Sequence, residues 1–322
     1  MGATRTSDVT STKLSVVGAG SVGTAVANAC LIRGSADAIS LFDLNPEKVR
    51  AEVLDLNHGT QFAPSCRIEG DVDIAVTADS DLVVVTAGAK QRPDQSRLEL
   101  AAANVALARK LTPQLLAVSP DAVIVFVSNP VDIITYAAIE ATGVTDGRIF
   151  GSGTVLDSGR LRYLLARRAD IAIENVHAFV VGEHGDSEVA LWSGATIGGV
   201  PAENFRIDGL PVFGPEVRAE LFDEVVRSAY EIIRGKGATN LAIGLASARI
   251  VEAVLRNQRR VLPVSTLQTG LHGLRDVCLS LPTIVDARGA HTVLDVPLSP
   301  EEAAGLAASA ATLHEVQASL DL

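Results

Sequence analysis

Basic residues are scarce in this chain: 27 Lys and Arg against 38 Asp and Glu leave a net charge of −11 and a pI near 5.0. Nucleic-acid surfaces need clustered Lys and Arg, so a nucleic-acid partner is not expected. An acidic chain with an anionic substrate must instead place a few arginines locally. Aromatic residues make up only 4%, so the core must come mainly from Val, Leu, Ile and Ala. The three cysteines, Cys30, Cys66 and Cys278, are far apart, odd in number and form no Cys-x-x-Cys pair. That usage fits reduced thiols in a cytosol better than a disulfide framework or a zinc site, and no metal is expected. No apolar run approaches the roughly 18 residues of a membrane helix. The polar start MGATRTSDVTST has no apolar core of a secretory signal. A soluble cytoplasmic protein without a membrane partner is the expectation.

What the sequence does have is an ordinary globular balance, 48% hydrophobic and 20% charged over 322 residues, enough for one large or two medium domains. Residues 1–12 read as a flexible tail or short arm. Lys13 to Val17 is a short β-prone run ending in Gly18. Val22, Ala25, Val26, Ala29 and Ile32 then recur at helical spacing, with Gly34 placed as a C-cap. Further strands are expected at Ala38 to Phe42, Asp81 to Thr86 and Ala122 to Val127, with a helix over Leu98 to Leu111. The later two runs are continuously apolar, as strands covered on both faces require. Alternating strands and helices predict a Rossmann-type doubly wound α/β sheet over 13–151. After Gly151 strands become less distinct and amphipathic helices appear over Glu216 to Arg234 and Ala242 to Leu255. Ser299-Pro300-Glu301-Glu302 reads as a capping box opening a last helix. An α+β substrate-binding catalytic domain over 152–322 is expected, with no internal repeat.

Gly18-Ala19-Gly20-Ser21-Val22-Gly23 is G-x-G-x-x-G between a strand and a helix. Glycines there allow a tight turn and close approach of a pyrophosphate, and the helix N-terminus offers it free N–H groups. Asp43 follows about twenty residues on, at the end of the next strand, where its carboxylate can bond both ribose hydroxyls and repel a 2′-phosphate. The expected cofactor is NAD (NADH). A glycine-rich structural turn with a loop carboxylate is the bland alternative.

Hydride exchange between a 2-keto and a 2-hydroxy acid needs a cation for the carboxylate, a proton-transfer group near neutral pKa, and a polariser of the carbonyl. Candidates stand in Asp157-Ser-Gly-Arg160, in Gly182-Glu183-His184-Gly185-Asp186 and in Gln91-Arg92-Pro93-Asp94-Gln95-Ser96-Arg97. Each alone has a plainer reading. His184 could be a loop histidine, Asp157 and Arg160 a surface pair at i, i+3, and Arg97 an exposed residue starting a helix.

Taken together, VVGAGSVG, TAGAKQRPDQSR, VSNPVDI, IFGSGTVLDSGRLR, NVHAFVVGEHGDSE and GKGATNLAIG resemble the lactate/malate dehydrogenase family, in its order and over nearly the whole chain. The resemblance implies that His184 donates a proton in keto-acid reduction and accepts it in the reverse direction. It implies that Asp157 hydrogen-bonds His184 and raises its pKa, and that Arg160 forks onto the substrate carboxylate. Arg97 would lie on a closing loop and bring a cation to the carbonyl. Asn129 would position cofactor and substrate, before a cis proline. Thr239 would line the pocket, and Val22 and Ile243 would pack near the cofactor. A homotetramer is implied as well.

In that family the residue before the Arg/Lys-Pro pair discriminates substrates, with Arg there in malate dehydrogenases; here it is Gln91. A neutral amide tolerates a methyl group, whereas oxaloacetate would bring an unpaired charge, so pyruvate and L-lactate are expected. A register slip presenting Arg92 would instead favour malate, and other 2-hydroxy acids remain alternatives. Asp94 stands where the family usually has Gly, which removes a hinge position and adds a negative charge to the loop. Arg162 and His177 match the positions at which allosteric bacterial members bind fructose 1,6-bisphosphate across an interface; a surface Arg and a core-edge His are the alternative. A non-catalytic NAD-binding redox sensor would predict a damaged catalytic set, and Asp157, Arg160, His184 and Arg97 are all present. Arg259, Arg260, Arg167 and Arg168 read as solvated charges.

Overall fold

The fold grows from β-branched runs too apolar to leave either face in water. The computed structural model describes residues 11–89 and 97–322, the side chain of Arg97 excepted. In chain order these are β1 (Lys13–Val17), α1 (Ser21–Arg33), β2 (Ala38–Phe42), α2 (Pro46–Gly59), β3 (Arg67–Asp71), β4 (Leu82–Val85), α3 (Arg97–Val118), β5 (Val123–Phe126), α4 (Val131–Thr142), β6 (Ile149–Gly151) and α5 (Val155–Ala169). Two-residue strands follow: β7 (Val176–His177), β8 (Val180–Val181), β9 (Val189–Ala190), β10 (Thr196–Ile197), β11 (Val200–Pro201), β12 (Arg206–Ile207) and β13 (Leu210–Pro211). The chain continues with α6 (Pro215–Lys236), α7 (Leu241–Leu255), β14 (Arg260–Thr269), β15 (Arg275–Asp286), β16 (Gly289–Val293) and α8 (Pro300–Ser319).

The strands β3-β2-β1-β4-β5-β6 pair in parallel and in that order. The chain starts in the middle of the sheet, so a crevice opens beyond the carboxyl ends of β1 and β4, where the winding reverses. Successive residues of each strand serve opposite faces. Leu82 and Val84 pack with Val26 of α1 and Val251 of α7, while Val83 and Val85 pack with Val105 of α3 and Ile134 of α4. Both layers are needed to bury such strands, which is why their sequence shows no alternation. The Rossmann architecture is as expected.

β14 joins the same sheet antiparallel to β6, through Ser265 opposite Gly151, and β15 and β16 extend it to nine strands. These long strands did not stand out because Pro263 lies opposite Pro282, and Ser265, Thr266, Gln268, Ser280 and Thr283 are buried polar members of them. Proline and hydroxyl residues mask a strand signature in sequence. A third apolar cluster, with Leu161, Leu165, Val180, Phe213 and Val225, packs α5 against α6 and the short strands. The Ser299 capping box and the αL C-cap at Gly34 both form. Of the expected tail, residues 1–10 lie outside the described residues, and Thr12 gives its backbone N–H and hydroxyl to Asp37 at 2.8 and 2.9 Å. Among the described residues no helix is long and apolar enough to cross a membrane.

Candidate active site

The glycine loop sits at the carboxyl end of β1 and opens α1. Gly18 has φ +101°, and a Cβ on it would lie 2.7 Å from the backbone nitrogen of Ala87. A Cβ on Gly23 would meet the Gly18 carbonyl oxygen at 1.8 Å, so only glycine lets α1 approach β1 this closely. At Gly20, by contrast, a Cβ would find nothing nearer than the Lys48 ammonium at 4.0 Å. The first and third glycines thus shape the turn, and the second leaves its outer side open for a ligand. Gly20 takes the N-cap position of α1 without a side-chain cap, so the first-turn N–H groups have no capping oxygen. Asp43 directly follows β2 beside this loop, its carboxylate accepting from the N–H of Ala19 at 2.8 Å and of Asn45 at 3.1 Å. Gly18, Gly20, Asp43, Lys48, Thr86 and Lys110 line a cleft of about 510 Å³. Its backbone N–H groups, the Asp43 carboxylate and two lysines fit a dinucleotide diphosphate.

Thr86 also lines a second, deeper cavity of about 220 Å³, so the cleft and cavity meet along the glycine loop. Its walls bring together Val22 of α1, Asn129 of the turn after β5, Arg160 of α5, His184, Thr239 and Ile243 of α7. These come from five segments spread over most of the sequence. Asn129 precedes a cis Pro130. That turn is held by Asn104 of α3, which takes the Ala89 N–H on its side-chain oxygen and donates its amide to the Asn129 carbonyl, at 2.7 and 2.8 Å.

The electrostatic centre is Asp157, 2% exposed, in the first turn of α5. One of its oxygens meets Nδ1 of His184 at 2.6 Å, and the other accepts from Arg160 at 2.6 Å. Nδ1 is thereby engaged, which leaves Nε2 for the cavity. Burial opposes charge on the His184 ring, but the Asp157 carboxylate outweighs it and lifts the imidazolium to about 9. Burial would likewise raise the Asp157 carboxyl; the imidazolium and guanidinium outweigh that and hold it below the ordinary carboxylate range. The arrangement can keep a proton on a half-buried imidazole at neutral pH and present it beside a cation.

Several supports were not singled out as site residues in the sequence. Asp132, buried in α4, accepts the backbone N–H of His184 at 2.8 Å, and burial lifts its carboxyl to about 6. Ser309 of α8 accepts the N–H of Glu183 at 2.7 Å, which fastens the loop to the last helix. Glu188, 8% exposed, reaches the Asp157–His184 pair. Ser152, Leu156, Ala229 and Ile233 complete the cavity wall. Asp132, Ser152, Leu156 and Glu188 lie within the motifs quoted above, yet the motifs do not say what these residues touch after folding; Ser309, Ala229 and Ile233 belong to no motif.

Gln91, Arg92 and Asp94 lie outside the described residues, and Arg97 is the first residue of α3. Arg162 donates to the Ala178 carbonyl at 2.8 Å and stacks over Phe179 at 5.0 Å. His177 is the exposed residue next to Ala178, so the two candidate effector residues stand close together on α5 and β7.

The lactate/malate dehydrogenase NAD binding domain matches residues 12–151, and the alpha/beta C-terminal domain of the same family matches residues 154–319. An L-lactate dehydrogenase of Bifidobacterium animalis subsp. lactis is 47% identical over 97% of this chain and 98% of its own. One from Synechococcus is 45% identical over 94% and 98%. Among solved structures, a minor L-lactate dehydrogenase from Enterococcus mundtii superposes with a TM-score of 0.91 at 37% identity, over 97% of this chain and 98% of that one. A lactate dehydrogenase from a Medee basin deep-sea metagenome superposes at 0.93 with 34% identity, covering 97% and 99%.

Proposed function

Since the chain belongs to the lactate/malate dehydrogenase family, an NAD-dependent oxidoreductase family, we propose that it interconverts pyruvate and L-lactate. The observation that carries the chemistry is Asp157, buried with one oxygen on His184 and the other on Arg160, both of which line one small cavity. A dinucleotide held by the glycine loop and Asp43 would supply or take up the hydride. The chain's own residues do the rest. Arg160 keeps its remaining nitrogens for the substrate carboxylate, which fixes the orientation of the keto carbon. His184 holds a proton on Nε2 and passes it to the carbonyl oxygen as that oxygen becomes negative; Asp157 stabilises the imidazolium before transfer and the tautomer afterwards. Reduction draws on the protonated ring and oxidation of lactate on the neutral one. Thr239, Asn129 and Ile243 close the walls, and Ile243 favours the uncharged reduced ring.

In this reading Arg97 supplies a second cation to the substrate carbonyl, and Gln91, outside the described residues, reads the substrate's tail as neutral. We place the division between an NAD-binding and a substrate-binding domain at residues 151–152, with β14–β16 of the second domain continuing the first domain's sheet. Arg162 and His177 form half of a fructose 1,6-bisphosphate site completed by two-fold symmetry in a homotetramer.

Initial rates of NADH oxidation with pyruvate and with oxaloacetate, each with and without fructose 1,6-bisphosphate, test these assignments together. A strong pyruvate preference is expected, with activation by the bisphosphate that is lost in Arg162→Gln. Faster turnover of oxaloacetate would mean that Arg92 reads the substrate. An unchanged saturation curve together with no direct binding of the bisphosphate would remove the effector site alone.

A further inference from the structure

Three acid–base groups meet behind the cavity wall, at His184, where the mechanism uses only two. One ligating atom each of Asp157, His184 and Glu188 lies within 4.8 Å of the others. Glu188 is 8% exposed and precedes β9. The charged groups facing it are Asp157 and Arg160 from α5 and His184 from its own loop, while Asp132 of α4 faces His184. Arg160 and His184 are already committed to the two oxygens of Asp157. Asp157 therefore keeps the negative charge. Two neighbouring buried carboxyls share a proton rather than both ionise.

We infer that Glu188 is carried as a neutral carboxylic acid whose O–H is directed at Asp157, a positioning residue that limits how tightly His184 holds its proton. Burial, reinforced by the Asp157 charge, keeps the Glu188 carboxyl far above the usual carboxylate range. A donor on Asp157 draws off part of the charge that the imidazolium feels. Without it Asp157 is the stronger partner for the ring, and the proton is released less readily to the substrate oxygen. An ionised Glu188 would act the same way, as a second negative charge beside His184. The Glu188 proton itself does not transfer. The consequence at His184 rests on the proton-transfer role proposed above; the charge state of Glu188 does not.

Two measurements separate those claims. The first is an infrared difference spectrum of the ligand-free enzyme against Glu188→Gln at about pH 8, above the range in which Asp132 titrates. A protonated-carboxyl C=O band that is present in the parent and lost in Glu188→Gln is expected; its absence from the parent overturns the inference, whatever the substrate proves to be. The second is the alkaline limb of kcat/KM for pyruvate reduction in Glu188→Gln and Glu188→Leu. Glutamine keeps a neutral donor and leucine removes it, so the leucine limb is expected above the glutamine limb by about half a pH unit or more. Limbs displaced downward together would mean that an ionised Glu188 was lost. Limbs that coincide with the parent's would mean that Glu188 positions nothing. Either result overturns the inference, and if Glu188→Leu does not fold, the infrared band decides alone.

Discussion

The glycine cradle and the His184 centre adjoin across Thr86, yet they are built from different parts of the polypeptide. At the cradle the recognising groups are backbone: a left-handed Gly18, a Gly23 that cannot hold a Cβ, and the uncapped first turn of α1. At His184 they are side chains from α4, α5 and the 182–188 loop, balanced around one buried carboxylate. A backbone site tolerates no added atom but needs no charge balance. A side-chain site tolerates shape changes and fails when one charge is removed. Cofactor affinity and proton transfer should therefore be separable by mutation.

The largest separation is expected from His184→Gln, which removes the proposed proton donor and should lower kcat for pyruvate reduction about a thousand-fold or more. NADH affinity, read by fluorescence titration, should stay within about twofold; a large loss there would mean the two sites are one cooperative unit. Asp157→Asn comes next, with a fall of about a hundred-fold or more in kcat/KM at mildly alkaline pH. Its sign with pH is fixed. The parent's reduction rate falls as pH rises through about 9, the point to which Asp157 lifts His184. The asparagine variant's limb should lie lower, with partial recovery on acidification. The same raised pKa adds stability that is fully present below 6.5 and lost as pH climbs to about 9. The parent's Tm should therefore drop across that window more than the variant's does.

Arg160→Lys keeps the charge and loses the planar fork, so the KM for pyruvate should rise about ten- to a hundred-fold while kcat falls less. An unchanged KM would move substrate binding away from Arg160. On the other side of the comparison, Gly23→Ala must displace α1 from β1. About a tenfold loss of NADH affinity and a Tm lower by a few degrees are expected, with kcat largely retained at saturating NADH.

The first half of the molecule was the more legible in sequence because its signals are local. The limits of β1 and β2, the helix with its Gly34 cap, and the glycine loop before α1 depend on neighbours a few residues away. In the second half, the Ser299 capping box was equally local and equally readable. The paired strands β14 and β15 were not, since their buried Ser, Thr, Gln and Pro look like loop composition until the partner strand is in place. His184, Asp157 and Arg160 could be named from motifs, but each motif alone also admitted a surface residue.

The sequence determined the parallel sheet, the dinucleotide turn and the identity of the proton-transfer candidates, because hydrophobic runs, glycine geometry and short motifs act over a few residues. Only the tertiary structure decided that Asp132 would hold the His184 backbone, that Asn104 would clamp the Asn129 turn, and that Glu188 would stand beside Asp157. Those are contacts between distant segments, and the charge that each carboxyl carries is set by burial and by the neighbours that folding supplies.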